Sequence, residues 1–447
     1  MVNIYKVNEA LESILLRHGL LDFEVPESVK QGIREVFGQE LSPEAAVNKL
    51  LMDVREQGDT AVRYWTKKID GFELENLVVD HRTIAAAIDR IPSELVESLL
   101  LSAERIRTFH KLQPVPNWKT STMGGTLGQR FTPIERVGVY VPGGVAPLPS
   151  SLLMSVIPAQ AAGVSQIFVA TPPRKADGSV ADVILAAAAI TGIDVMYLAG
   201  GALAVAAFAF GTETIPKVDK IVGPGNLFTT LAKRQVYGHV GIDGLYGPTE
   251  TMVVADDSAN STWVAADMLA QAEHDVLASA ILLTPSEKLA ESVRIEIGKQ
   301  IKNLDRADTI AISLAHRGGI VVTADLDEAC RLAGDYAAEH TCLAVGVDHL
   351  DDCIDKISNA GGLFAGEYSF EVLGDYVTGP SHVMPTGSSA RYSSPLNVLD
   401  FLKMSSIIQL DRITAEQLSP HAERIALAEQ LDGHANAAVQ RIRNSRI

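Results

Sequence analysis

The chain has 447 residues, 47% apolar and 21% charged, enough to bury a substantial core and form more than one domain. Its formal charge of -17, from 55 acidic against 38 basic residues, excludes a nucleic-acid-binding protein. Phosphate binding needs concentrated Lys and Arg, and the one basic cluster, Lys233-Arg234, is too short to supply them.

No run of about 18 apolar residues free of charges and breakers occurs, so no membrane span is expected. The opening Met1-Val2-Asn3-Ile4-Tyr5 lacks a signal-peptide layout, and the expected location is cytoplasmic. Cys330, Cys342 and Cys353 are odd in number and in no finger or C-x-x-C spacing. Any metal must therefore rely on nitrogen and oxygen ligands.

In chain order, residues 1 to about 120 read as mostly helical, with Pro43 opening a helix after Ser42 and a longer one from Ser93 through His110. From Arg136 short apolar runs alternate with helices. Strands are expected at Arg136-Val-Gly-Val-Tyr-Val, Gln166-Ile-Phe-Val-Ala, Asp194 to Leu198 and Lys220-Ile-Val. The helices between and after them run from Ser150 to Ala162, Val180 to Thr191, Leu203 to Phe210 and Leu227 to Tyr237. Such alternation means a parallel sheet covered on both faces.

A second round runs from Thr251-Met-Val-Val-Ala through a helix ending at His274, the strand Ser279 to Leu283, a helix to about Ile301, the strand Gly319-Ile-Val-Val, a helix reaching Glu339 and the strand Cys342-Leu-Ala-Val. After Gly361 the chain reads as loop, dense in Gly, Ser and Pro from Gly374 to Pro395, and Ala415 to Ile447 reads as helix. The expected fold is α/β, two Rossmann-like doubly wound units in tandem with helical N- and C-terminal segments. The expected boundaries are a helical segment at 1–37, the first part of a larger α/β domain at 38–139, a Rossmann-like domain at 140–249, the second part of the larger domain at 250–395, and a helical segment at 396–447.

Four fragments carry candidate metal chemistry. Gln271 and His274 are three apart at the end of a helical pattern and project from one face. Asp375 adds a hard carboxylate and His434 a second imidazole, a set suited to zinc or a similar cation. Glu339-His340, read as closing a helix, is left to move protons. For the Gln271/His274 pair alone, a solvated helix end is the competing explanation. Cys342 lies two residues from His340, but its apolar strand marks it as core.

The loop Val222-Gly223-Pro224-Gly225-Asn226 follows a strand and opens a helix, where free N–H groups favour a phosphate. Phe228 stands where the third glycine of a dinucleotide fingerprint would be, so a plain tight turn is the alternative. Val141-Pro142-Gly143-Gly144 is placed to line the same crevice, beyond the carboxyl ends of the strands.

Taken in order, Arg136-Val-Gly-Val-Tyr-Val-Pro-Gly-Gly, Gly211-Thr-Glu-Thr-Ile-Pro-Lys-Val-Asp-Lys, Gly223-Pro-Gly-Asn, Ala232-Lys-Arg-Gln, Gln271-Ala-Glu-His, Ala338-Glu-His and Gly433-His resemble the histidinol dehydrogenase family, from about residue 40 to 440. The resemblance implies oxidation of L-histidinol to L-histidine through the aldehyde, with two NAD and one zinc per site. It implies zinc ligands Gln271, His274, Asp375 and His434, which with His340 also border the substrate. Glu339 would activate water and His340 would be the base; Thr249, His382 and Glu429 would contact substrate, and Tyr140 and Asn226 the NAD of the 140–249 domain. It further implies a homodimer whose C-terminal segment, with His434 and Glu429, completes the partner's site.

Three positions depart from the family pattern: Leu203 puts an apolar side chain near the cofactor, Thr249 adds a methyl beside the substrate, and Thr341-Cys342-Leu343 follows the Glu-His pair. They leave open a paralogue that oxidises another small alcohol, such as a sulfonated or hydroxylated polyol. A sulfonate needs extra cationic residues, and near the loop Gly379-Pro380-Ser381-His382 only Arg391 and, further on, Lys403 are available. A catalytically silent relative would lack Glu339 or His340, and both are present.

Overall fold

The computed structural model describes residues 2–17, 25–143 and 146–443. Gly144, expected beside the cofactor crevice, lies outside them. The described parts of Met1–Leu112 and Ile134–Phe401 form one unit, and those of Gln113–Pro133 and Leu402–Ile447 form a second.

The first unit is α/β and holds two six-stranded sheets. In one, the strands Val78–Val79, Met196–Leu198, Gln166–Thr171, Arg136–Tyr140, Lys220–Val222 and Gly241–Ile242 lie side by side in that order. All pair in parallel except Val78–Val79, which runs antiparallel to Met196–Leu198. Chain order therefore reverses between Arg136–Tyr140 and Lys220–Val222, which opens a crevice beyond their carboxyl ends.

The other sheet repeats the plan with Ile4–Lys6, Gly319–Val322, Ser279–Thr284, Glu250–Ala255, His340–Ala344 and Gly362–Ala365, all parallel. Because side chains alternate along a strand, its two faces enter separate cores. Val253, Leu282, Ile320 and Cys342 pack on one side, and Val254, Leu283, Val321 and Leu343 on the other. The edge strand Ile4–Lys6 is an exception within an N-terminal region that is, as read, mostly helical. Three residues are too short for a periodic signal, and their partner Gly319–Val322 lies far off in the chain.

The second unit pairs Leu402–Gln409 antiparallel with Thr126–Pro133, which pairs with Trp118–Thr120, and adds the helices Arg412–Ala428 and Asp432–Arg443. The sequence reading had the helices but not this sheet, whose central pairing joins distant segments. Among the described residues no helix is long and apolar enough to cross a membrane.

The Gly223 loop depends on a buried ion pair. Lys233, read from sequence as part of a basic cluster, has its side chain only 2% exposed. Its Nζ lies 2.7 Å from Asp243 Oδ1 and donates to the Gly223 carbonyl at 2.5 Å. Asp243 Oδ2 accepts from Gly223 N–H at 2.7 Å. Gly223 itself has φ +114°, and a Cβ there would sit 2.2 Å from the Tyr140 carbonyl oxygen. Lys233→Met strands a buried carboxylate and is expected to lower unfolding stability by roughly 3–5 kcal/mol. Arg234→Ala, at a more exposed contact, is expected to cost less than about 1 kcal/mol. Urea denaturation midpoints of the two variants check the contrast.

Candidate active site

In the second sheet the catalytic candidates gather at the amino ends of the strands. Thr249 and Glu250 stand at the start of Glu250–Ala255, and Glu339 and His340 at the start of His340–Ala344, with Thr251 opposite His340 in the ladder. Crossover helices return to this edge. Ser261–Ala272 ends there with Gln271, and Leu326–Tyr336 ends just before Glu339. Helix C-termini present unpaired carbonyls and partial negative charge, so the edge favours a cation.

Two local expectations change. Glu339-His340 does not close a helix: the helix stops at Tyr336, Ala337 turns the chain with φ 55°, and His340 opens the strand. Asp375 is not in a loop but on the short helix Glu371–Tyr376, hidden from a sequence reading by the surrounding Gly, Ser and Pro. Gln271 is fully buried in its helix, whereas His274 lies two residues past the helix end and is exposed. Its N–H still bonds the Gln271 carbonyl at 3.2 Å, which continues the turn.

Around His340 the contacts are dense. Its Nδ1 lies 3.4 Å from the Glu250 carbonyl oxygen and 3.8 Å from Glu339 Oε2. Its Nε2 lies 3.4 Å from Asp375 Oδ1, yet this buried nitrogen makes no hydrogen bond. Glu339 Oε2 accepts from the Thr249 hydroxyl at 2.5 Å and from Glu250 N–H at 3.2 Å. Glu371, a residue the sequence reading missed, accepts from the Thr251 hydroxyl at 2.6 Å. With its amide nitrogen toward Glu371 Oε1 at 2.5 Å, Gln271 turns its oxygen to Glu250 N–H at 3.1 Å. His382 Nδ1 bonds the Asp375 carbonyl oxygen at 2.8 Å and is 4.0 Å from Asp375 Oδ1. The only sequence sign of Glu371 is its spacing of four from Asp375, which matters only once that segment is known to be helical.

Burial pushes the carboxyls of Glu339 and Glu371 upward and the imidazole of His382 downward. His340 moves the other way. Burial lowers it, but the Glu371, Glu339 and Asp375 carboxylates outweigh that and raise it. Asp375 ends below the ordinary carboxylate range because His340, His382 and His274 together outweigh its burial. A divalent cation beside Asp375 would offset the same field on His340. The ligand atoms of His340, Glu371 and Asp375 lie within 4.8 Å of one another. The carboxylates and imidazoles gathered at this edge are oxygen and nitrogen donors of the kind that zinc or a similar cation takes.

The remaining candidates belong to other elements. Tyr140 ends the strand Arg136–Tyr140, 6% exposed, with its pKa pushed up to about 12 by burial. Asn226 caps the helix Leu227–Val236, accepting from Phe228 and Thr229 N–H at 3.1 and 3.2 Å. Both stand at the crevice where chain order reverses. Leu203 is 1% exposed in the helix Gly201–Phe210. Cys342 is core, and burial raises its thiol well above the ordinary value. Arg391 donates to the Asp335 carbonyl at 2.5 Å. Glu429 and His434 are exposed residues of the second unit, at the end of one helix and the first turn of the next.

Comparison with known proteins shows the family. Residues 37–442 match the family model described as histidinol dehydrogenase. The chain is 47% identical over 432 residues to the histidinol dehydrogenase of Dehalococcoides mccartyi strain CBDB1, covering 96% of this chain and 98% of that one. It is 46% identical over 421 residues to that of Deinococcus radiodurans, covering 94% and 95%. The crystal structure of histidinol dehydrogenase from Elizabethkingia anophelis superposes with a TM-score of 0.90 at 32% identity, covering 100% of this chain and 99% of that one. With that match over nearly its whole length, and with Glu339, His340 and Asp375 gathered at one sheet edge, the chain belongs to the histidinol dehydrogenase family and is an oxidoreductase of histidine biosynthesis.

Proposed function

We propose that the chain oxidises L-histidinol to L-histidine through the aldehyde, reducing two NAD, with one zinc at each site. The observation that carries this reading is the Glu339–His340 pair, an acid and an imidazole held side by side with a buried Nε2 that makes no hydrogen bond. Nδ1–H directed at the Glu250 carbonyl oxygen leaves Nε2 as the basic nitrogen. A hydride leaves an alcohol carbon only as the hydroxyl proton is removed, and Nε2 takes that proton. The second oxidation requires the aldehyde hydrate. Glu339 assists by removing a proton from the attacking water, and Thr249 and Glu250 N–H hold its Oε2 in place meanwhile.

When bound, zinc would hold and orient the substrate's nitrogens and the nicotinamide would accept the hydride. Gln271, His274, Asp375 and His434 would hold the metal, with Glu371 steering the Gln271 amide. Tyr140 and Asn226 would border the NAD. The chain would act as a homodimer in which His434 and Glu429 complete the neighbouring subunit's metal and substrate contacts, alongside His382. Apolar side chains left open on the second unit, Ile408 at 74%, Ile413 at 70% and Ile425 at 61% exposure, support a covered face there.

Zinc-loaded protein given limiting L-histidinol is expected to form two NADH per histidinol, and chelator-treated protein none; absorbance stoichiometry reads this directly. A single NADH per histidinol would remove the second oxidation from the proposal. His340→Asn is expected to lower kcat by about 10²–10⁴-fold, with zinc content unchanged. Asp375→Asn is expected to lose the zinc itself, as measured by elemental analysis of the purified variants. Full zinc retention in Asp375→Asn would exclude that carboxylate as a ligand.

A further inference from the structure

Arg17 precedes Glu250 by more than half the chain, belongs to none of the motifs above, and makes a dense set of contacts behind the Glu339–His340 pair. Its Nη1 and Nη2 grip the two carboxylate oxygens of Glu250 at 2.5 and 2.9 Å. Its Nε reaches the Tyr336 carbonyl at 2.9 Å and the Ser388 hydroxyl at 2.7 Å, and Nη2 reaches the Ala337 carbonyl at 3.3 Å. The guanidinium carbon lies 3.6 Å from the Tyr336 ring centroid. Side-chain exposures of 23% for Arg17 and 10% for Glu250 make this a largely buried fork-to-fork pair.

Both elements it joins lead to the reacting groups. Glu250 carries the N–H that holds Glu339 Oε2 and the carbonyl that faces His340 Nδ1. Ala337, the left-handed turn residue with φ 55°, lies two residues before Glu339. Gly387 N–H also bonds Glu250 Oε2, at 3.2 Å. Arg17 thus bolts the start of one strand to the turn that launches the next, and the gap between those strand ends sets how Glu339 and His340 sit against the Glu250 N–H and carbonyl.

We infer that Arg17 is a positioning residue for the Glu339–His340 pair, acting through Glu250. The inference rests on the proposed roles of that pair. It differs from a merely stabilising ion pair in what it predicts: loss of the fork loosens the geometry of the reacting groups, whereas substrate and metal still bind.

The test uses full-length, zinc-loaded Arg17→Met, Arg17→Lys, Glu250→Gln and the Arg17→Met/Glu250→Gln double variant, with L-histidinol and NAD. For Arg17→Met the expected outcome is a fall in kcat of about 100-fold, the scale of a 1 Å misplacement. KM for histidinol should stay within about threefold, and zinc content should be unchanged. Arg17→Lys, which keeps charge without the fork, is expected to recover only part of the loss. The double variant should be no slower than the slower single variant. A kcat for Arg17→Met within about threefold of the parent, or losses that multiply in the double variant, would overturn the inference.

An activity-independent readout separates this from the functional proposal. The imidazole nitrogen NMR shifts of His340, assigned with His340→Asn, should move in Arg17→Met while those of His110 stay put. His340 shifts unmoved by Arg17→Met overturn the positioning role even if the parent protein fails to oxidise histidinol. Should Arg17→Met not fold, Arg17→Lys decides by the same readouts.

Discussion

Buried charge at the amino edge of the second sheet is the constraint on which the rest depends. Glu339, Glu371 and Asp375 bring three carboxylates together with the imidazoles of His274, His340 and His382. Each ion taken out of water costs several kcal/mol unless partners replace the lost hydration. The chain supplies them with the Thr249 and Thr251 hydroxyls, the Gln271 amide and the Glu250 N–H. His340 Nε2 is left without a hydrogen bond, and that exception is where chemistry can act.

Such a cluster needs a rigid frame, and the parallel sheet provides it. Strands buried on both faces cannot slip by one residue without turning each core outward, so Thr251 stays opposite His340. Close approach is enforced as well. A Cβ at Gly361 would fall 2.4 Å from the Glu339 carbonyl oxygen, and Gly362 N–H bonds that oxygen at 2.8 Å. The backbone on either side of Glu339 and His340 is pinned before any ligand arrives, and this lowers the ordering required on binding.

The two sheets use opposite edges. In the first, the Gly223 loop at the carboxyl ends is held by Lys233 and Asp243. In the second, Glu339 and His340 stand at the amino ends. The connector from Asp243 to Glu250 joins them: Tyr246 accepts at its carbonyl from Thr230, Gly247 N–H bonds the Thr386 hydroxyl at 2.6 Å, and Thr249 meets Glu339. A short stretch of chain thus touches both the loop suited to a cofactor phosphate and the pair suited to proton transfer.

Apolar periodicity alone determined the α/β class, the tandem strand-helix rounds and most of their elements, because the central strands are buried on both faces and read as apolar runs. Motif order determined the family. The tertiary structure alone decided which groups meet. Glu371 looked like a loop residue until its segment proved helical, Lys233 looked like surface charge until it proved buried, and the edge strand Ile4–Lys6 and the three-stranded sheet of the second unit arise from pairings between distant segments. Arg17 gave no sequence signal at all, since a fork on a carboxylate far along the chain is a fact of three dimensions. Local pattern records the free energy of burying one face of one element, whereas charge pairing across the fold depends on distances that no local window contains.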